Sequence, residues 1–153
     1  MARVPDAPQA DRRGFWWLWE RMTSGHAGLY KATRGRLGGT YMGAPIALVE
    51  SVGRKSGKVR THPLICNPHG EDLVIIASKG GIDKHPAWYR NLMAHPETNA
   101  WWKGRKRRVR AREAEGSERE RLWSLMVESY PPYADYQART ERRIPVIVLE
   151  PAG

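Results

Sequence analysis

The chain has 153 residues and a formal net charge of +10, the size of one domain, which excludes a two-domain enzyme with a separate cofactor module. With 41% hydrophobic residues and seven tryptophans, it holds enough apolar material to offset the entropy of ordering, which excludes a disordered basic tail. A single cysteine, Cys66, excludes a disulfide framework and a thiolate metal cluster, and permits a reducing compartment.

Residues 1–11, with Pro5 and Pro8, read as a flexible arm, and residues 12–153 as one domain. Residues 12–34 mix Phe15, Trp16, Trp19, Met22 and Tyr30 with Arg12, Arg13, Arg21, Lys31 and Arg34, which predicts a basic amphipathic helix. Short Val- and Ile-rich runs predict strands over Ile46–Val52, Thr61–Asn67 and Leu73–Ser78. Pro63 inside the second run predicts an edge position or a bulge. Pro86 opens a short helix in which Trp88 and Asn91 share a face, and His95 and Pro96 stop it. Residues 98–102 and 105–114 read as two strands turning at Gly104. Ser117 with Glu120 predicts a capping box, and the helix behind it has an apolar face of Leu122, Trp123, Leu125, Met126 and Val127. Ile144–Leu149 is apolar enough for a strand buried on both faces. Strands that follow one another without intervening helices exclude a doubly wound parallel sheet. The expected fold is α+β, a mostly antiparallel barrel with flanking helices.

No run approaches the roughly 20 apolar residues that span a bilayer, and the first residues lack a secretory signal, so the chain reads as cytoplasmic. Four segments could carry chemistry. Gly53-Arg54-Lys55-Ser56-Gly57-Lys58-Val59-Arg60 packs two glycines and four cations between two strands, a composition that suits a phosphate and equally a solvated hairpin. Val59 stands where a Walker loop needs Ser or Thr. Ala77-Ser78-Lys79-Gly80-Gly81 ends a strand on a hydroxyl, a cation and two glycines, a place for a bend or for contact with a flat ring. In the short helix, a buried Asn91 amide needs a polar partner. Tyr130, Tyr133 and Tyr136 recur every three residues around two prolines, as an aromatic lid or as a rigid surface turn. No metal-ligand spacing, hydrolase elbow or redox thiol pair occurs, and the five histidines read as surface or capping residues.

In combination, the Leu48–Pro63 string, the Ala77–Gly81 turn and the Pro86–Leu92 helix resemble the deazaflavin-dependent nitroreductase family of F420-dependent oxidoreductases. The likeness runs from the Trp-rich first segment to the last strand. It implies a split β-barrel, flavin-reductase-like and akin to FMN-binding barrels, holding coenzyme F420. By this resemblance Arg54, Lys55, Ser56 and Arg60 grip the phosphate and acidic tail. Thr61, Pro63 and Leu64 run beside the cofactor, Ile76, Ala77, Ser78 and Lys79 touch the deazaflavin, and Ala87, Trp88 and Asn91 close the far wall. Tyr130, Tyr133 and Tyr136 match the family's substrate-pocket tyrosines, and Ile65 stands where nitroimidazole-reducing members can carry an aromatic hydroxyl.

The implied reaction passes a hydride from F420H2 to a small apolar, electron-poor acceptor, a quinone, an activated enone or a nitroaromatic. Ser78 orients the ring or a developing oxyanion, and Tyr133 positions the acceptor and donates a proton. Residues 12–34 also suit an anionic membrane surface, which would place the enzyme at the inner face of the cell membrane. Two other readings remain. One is a small nucleic-acid-binding domain with Lys103–Arg112 as a basic stripe and Trp101 and Trp102 as stacking platforms. The other is an FMN-dependent oxidase of the same barrel shape.

Overall fold

The computed structural model describes residues 40, 41 and 43–152. The expected arm and the amphipathic helix at 12–34 lie outside the described residues. The described residues form seven strands, β1 (Thr40–Tyr41), β2 (Ala44–Val52), β3 (Val59–His69), β4 (Asp72–Ile76), β5 (Glu97–Trp102), β6 (Arg105–Glu113) and β7 (Val146–Pro151), and three α-helices, α1 (Ala87–Ala94) between β4 and β5, and α2 (Gly116–Ser129) and α3 (Pro132–Ala138) between β6 and β7. All pairings are antiparallel, in the order β1-β2-β3-β4-β7-β6-β5. A further β2–β5 pairing, Leu48 with Trp101 and Val49 with Ala100, closes β2 to β7 into a six-stranded barrel. Thr98 Oγ1 donates to the Glu50 carbonyl at 2.7 Å and reinforces that seam.

Period-two alternation sorts the side chains into two cores. Ala47, Val49, Cys66, Leu73, Ile75, Ala100, Val109, Ala111, Ile147 and Leu149 fill the barrel, with Trp102. Val74, Ile76, Val146 and Val148 point the other way, into a layer formed with Leu122, Met126, Tyr130 and Tyr133. β7 is therefore buried on both faces, as its sequence predicts. α1 runs from the end of β4 to the start of β5 and lays Leu92 into the barrel core, with Trp88 and Tyr89 packed against it.

β3 pairs with β2 through Val59–Ile65 and with β4 only through Cys66–His69. Pro63 thus lies where β3 has a strand on one edge alone, which is how a residue without an N–H fits a strand of eleven residues. The β3–β4 connection is tighter than its sequence suggests, because His69 already pairs with Asp72. β4 ends at Ile76, two residues before the expected Ser78, where the chain turns. The capping box does not form: α2 starts at Gly116, its N-cap is Glu115, and no side chain caps it. The Ala114 N–H is bonded to the Val146 carbonyl at 2.8 Å and Gly116 has φ +58°, so the chain bends into the helix before Ser117.

Replacing Leu92 with Ala should cost about 2–5 kcal/mol, because the void would sit in the packed barrel core. Urea unfolding reads this as a lower midpoint at unchanged slope.

Candidate cofactor and substrate site

Two glycines close the hairpin between β2 and β3. The Gly53 N–H donates to the Lys58 carbonyl and the Gly57 N–H to the Gly53 carbonyl, each at 2.8 Å. Gly57 has φ +71°, and a Cβ on Gly53 would lie 2.4 Å from Ser56 Oγ. Ser56 Oγ also accepts from the Lys58 N–H at 3.2 Å. With the backbone folded on itself, the Arg54, Lys55, Lys58 and Arg60 side chains are exposed.

Asn91 finds its partner here. Although only 8% exposed, its Oδ1 accepts from both the Arg54 backbone N–H at 3.2 Å and the Arg54 guanidinium at 3.0 Å. This bond fixes the cationic hairpin to α1. Ala87 is exposed at the start of α1, and Trp88, half-buried, lies one turn before Asn91. Beneath Trp88 lies His62, the two ring centroids 6.5 Å apart, with its Nε2 2.9 Å from Ser51 Oγ. The structure overturns the surface reading of this histidine: it shares the barrel-facing register of Leu64 and Cys66. Burial, then the charge of Arg60, pulls its pKa down to about 4.

Thr61, Pro63 and Ile65 lie on the outer side of β3 and are half-buried, while Leu64 packs into the barrel. Beyond Ile76, the Ala77 N–H bonds the Pro145 carbonyl at 3.0 Å. Then Lys79, Gly80 and Gly81 take φ values of 46°, 64° and 80°. A left-handed lysine between a strand end and two glycines is held there by its surroundings. The two glycines differ in kind. A Cβ on Gly81 would lie 2.6 Å from the Tyr136 carbonyl oxygen, so the close neighbour of Gly81 is the α3 backbone, whereas Gly80 faces open space. The Ser78 hydroxyl makes no hydrogen bond among the described residues.

The three tyrosines meet, though only Tyr133 and Tyr136 lie on α3; Tyr130 caps the end of α2. Their ring centroids are 4.9–6.2 Å apart, and Ile65 and Ile76 belong to the same cluster. The Tyr130 and Tyr136 hydroxyls bond each other at 3.1 Å. That of Tyr133, on a residue 4% exposed, has no hydrogen-bond partner among the described residues. Burial, then its two tyrosine neighbours, raises its pKa far above the ordinary phenol range, so it stays protonated and has a proton to donate in a hydrogen bond.

Sequence reading missed Arg142, whose guanidinium donates to the carbonyls of Ser78 at 2.7 Å, Ile82 at 2.6 Å and Ala77 at 3.3 Å. No motif announces it, since its partners lie 60 to 65 positions away. A period-two check would have found His62, which stands in step with Leu64 and Cys66. Cys66 is buried, and burial pushes its thiol up to about 12, in keeping with a packing role.

The basic stripe on β6 is largely committed to neighbours. Lys103 and Lys106 lie over Trp102 and Trp101, Arg108 and Arg110 pair with Glu97, and Arg112 pairs with Glu118 and Glu150. Trp102 is 7% exposed, inside the barrel core, so it is not available as a stacking platform.

The profile of the F420H(2)-dependent quinone reductase family matches residues 21–151. The chain belongs to that family. A Mycobacterium tuberculosis protein named "Putative F420H(2)-dependent quinone reductase" is 40% identical over 107 residues, covering 70% of this chain and 90% of the relative. A second protein of that organism, named "F420H(2)-dependent quinone reductase", is 36% identical over 128 residues, 81% of this chain and 86% of its own. The solved structure of an F420-H2 dependent reductase is 46% identical, with a TM-score of 0.65 over 69% of this chain and 94% of its own. A Listeria innocua protein described as "Putative Pyridoxamine 5'-phosphate oxidase", 11% identical with a TM-score of 0.50, shares the fold alone. By membership this is an F420-dependent reductase with coenzyme F420 as its cofactor. Among the described residues no helix is long and apolar enough to cross a membrane.

The half-buried His62 has a consequence for acid stability. Its folded pKa of about 4 lies below the usual value near 6.5, so the unfolded chain takes up the proton first. Stability should be full above about pH 6.5 and decline as the pH falls towards 4, by up to about 3 kcal/mol. His62→Gln should flatten that acid limb in urea titrations at pH 7.0 and 4.5.

Proposed function

We propose that the chain transfers a hydride from F420H2 to a small apolar acceptor of the quinone type, at a cleft along the outer side of β3. The observation that carries this reading is the layout of that strand. Exposed cations stand at one end, and an unpartnered hydroxyl turn and a tyrosine cluster at the other. The five steps from Arg60 to Ile65 span about 17 Å of extended chain, a length suited to a cofactor with a flat head and a charged tail.

The residues present fit the cofactor. Arg54, Lys55, Lys58 and Arg60 offer charge and, for the arginines, forked donors to a phosphate and carboxylates. Ser56 shapes the hairpin and Asn91 fixes its position through Arg54. Thr61 and Pro63 form the strand wall, Leu64 adds only its backbone because its side chain packs into the barrel, and Ala87 and Trp88 stand on the α1 side. Ile76, Ala77, Ser78 and Lys79 lead the chain to Gly80, where the backbone stands open to a ring. Reduced F420 supplies the hydride, so the protein needs neither a metal nor an acid cluster for that step. Ser78 orients the ring or the acceptor oxygen through its free hydroxyl. Tyr130, Tyr136 and Ile65 make an apolar wall that excludes water and receives a flat acceptor. Tyr133, protonated and without a competing partner among the described residues, donates a hydrogen bond and then a proton to the acceptor oxygen as negative charge develops there. Activated enones and nitroaromatics present the same electron-poor face.

Changing Lys55 and Arg60 together to Gln should weaken F420 binding about 10- to 100-fold, at roughly 1 kcal/mol or somewhat more per exposed charged contact. Tryptophan quenching on titration with F420 measures this; an unchanged affinity would remove the tail site. Tyr133→Phe should lower kcat for a quinone by about a hundredfold while leaving F420 affinity intact. Stopped-flow oxidation of F420H2 reads it, and unchanged turnover would take the proton role from Tyr133.

A further inference from the structure

The Ser78–Gly81 turn does not hold its own shape. Its N–H bonds are sparse: Gly81 donates to the Ser78 carbonyl at 2.9 Å and Ile82 to the Lys79 carbonyl at 3.3 Å. Three successive residues are left-handed, one of them a lysine. The carbonyls of Ala77, Ser78 and Ile82, which bracket these residues, all meet the single guanidinium of Arg142, through Nη1 at 3.3 Å, Nη2 at 2.7 Å and Nε at 2.6 Å. Three carbonyl dipoles with their negative ends together need a cation with several donors in fixed directions.

Arg142 is itself held. Its Nη1 lies 3.2 Å from His85 Nδ1, and the His85 ring packs on Tyr89 at 4.7 Å, whose hydroxyl donates to Glu113. Its backbone N–H donates to Thr140 Oγ1 at 3.2 Å, and its carbonyl accepts from Gln137 Nε2 at 2.8 Å. Gln137 Oε1 in turn accepts from the Ile144 N–H at 3.0 Å. The clamp therefore connects the turn to α1, to the loop after α3 and to the approach to β7.

We propose that Arg142 is a positioning residue of the reductase site: by gathering the carbonyls of Ala77, Ser78 and Ile82 it sets where the Ser78 hydroxyl and the open backbone at Gly80 stand, and so how the cofactor's ring is presented to the acceptor. The proposal rests on the reading that this turn receives the ring. Arg142 reaches the chemistry only through the turn, and the cofactor's tail is held elsewhere, at the hairpin. Its loss should therefore damage turnover far more than binding.

In Arg142→Lys the charge remains but the planar fork does not, so a lysine cannot serve three carbonyls in these directions. The variant should fold with a melting temperature near the parent's and bind F420 within about threefold, while kcat with a quinone falls about a hundredfold, the scale of a misplacement near 1 Å. Arg142→Ala should fall further and regain part of its kcat on addition of millimolar guanidinium ion, a response that a merely structural role would not give. An Arg142→Lys variant with parental kcat would overturn the proposal. So would a parallel loss of kcat, F420 affinity and melting temperature without guanidinium rescue of Arg142→Ala. A Ser78→Ala variant separates this from the reading beneath it. If Ser78→Ala keeps parental kcat and affinity, the turn is not at the ring and both ideas fall. If Ser78→Ala loses turnover but Arg142→Lys does not, the clamp alone falls.

Discussion

The architecture follows from a mismatch of strand lengths. β3 runs for eleven residues and β4 for five, so β4 can accompany only the last four residues of β3 before the chain must leave. The remaining edge, from Val59 to Ile65, has β2 on one side and, among the described residues, no strand on the other. Backbone groups left in this way need water, side chains or a ligand. The Ser78–Gly81 turn begins two residues after β4 ends at Ile76, Ile65 at one end of the unpaired stretch belongs to the tyrosine cluster, and the cationic hairpin leads into its other end. The rest of the barrel is closed by antiparallel pairs, down to the two-pair seam between β2 and β5, and is filled mainly with aliphatic side chains, which makes it a support for that edge.

Charge is arranged by the same scaffold. The chain carries 26 Lys and Arg residues, yet those on β6 are largely committed, to Glu97, Glu118 and Glu150 or to the faces of Trp101 and Trp102. The hairpin is different. Arg54 alone is tethered, to Asn91, and Lys55, Lys58 and Arg60 make no ion pair among the described residues. A fixed backbone with uncommitted cations concentrates positive potential at one end of the β3 edge, and that suits a polyanionic carrier. The opposite end has the reverse character. There the tyrosine rings and Ile65 offer apolar surface, and hydroxyls supply the polar contacts.

Much of this was legible along the chain. Val and Ile runs marked the strands, and Lys103 and Gly104, both at positive φ, make the two-residue turn between β5 and β6. Pro63 marked an edge, and Asn91 announced a buried amide in search of a partner. Where reading failed, a tertiary contact had outweighed a local signal. The Ser117–Glu120 capping pattern is sound by itself, but the bond from Ala114 to β7 bends the chain earlier. His62 was assigned to the surface on residue type, although its strand register puts it inside.

The sequence by itself determined the alternation that sorts two cores, the glycines that allow left-handed turns, and a cluster of cations within eight residues. These are local properties, fixed by side-chain period and backbone sterics over a few positions. Only the tertiary structure decided which polar groups are spent and which stay available. Asn91 is spent on Arg54, 37 positions away, and the carbonyls around Ser78 on Arg142, more than 60 positions away. Among the described residues, the hydroxyls of Ser78 and Tyr133 are left over. Hydrogen bonds between distant segments depend on how the barrel brings them together, and no window of neighbouring residues contains that information.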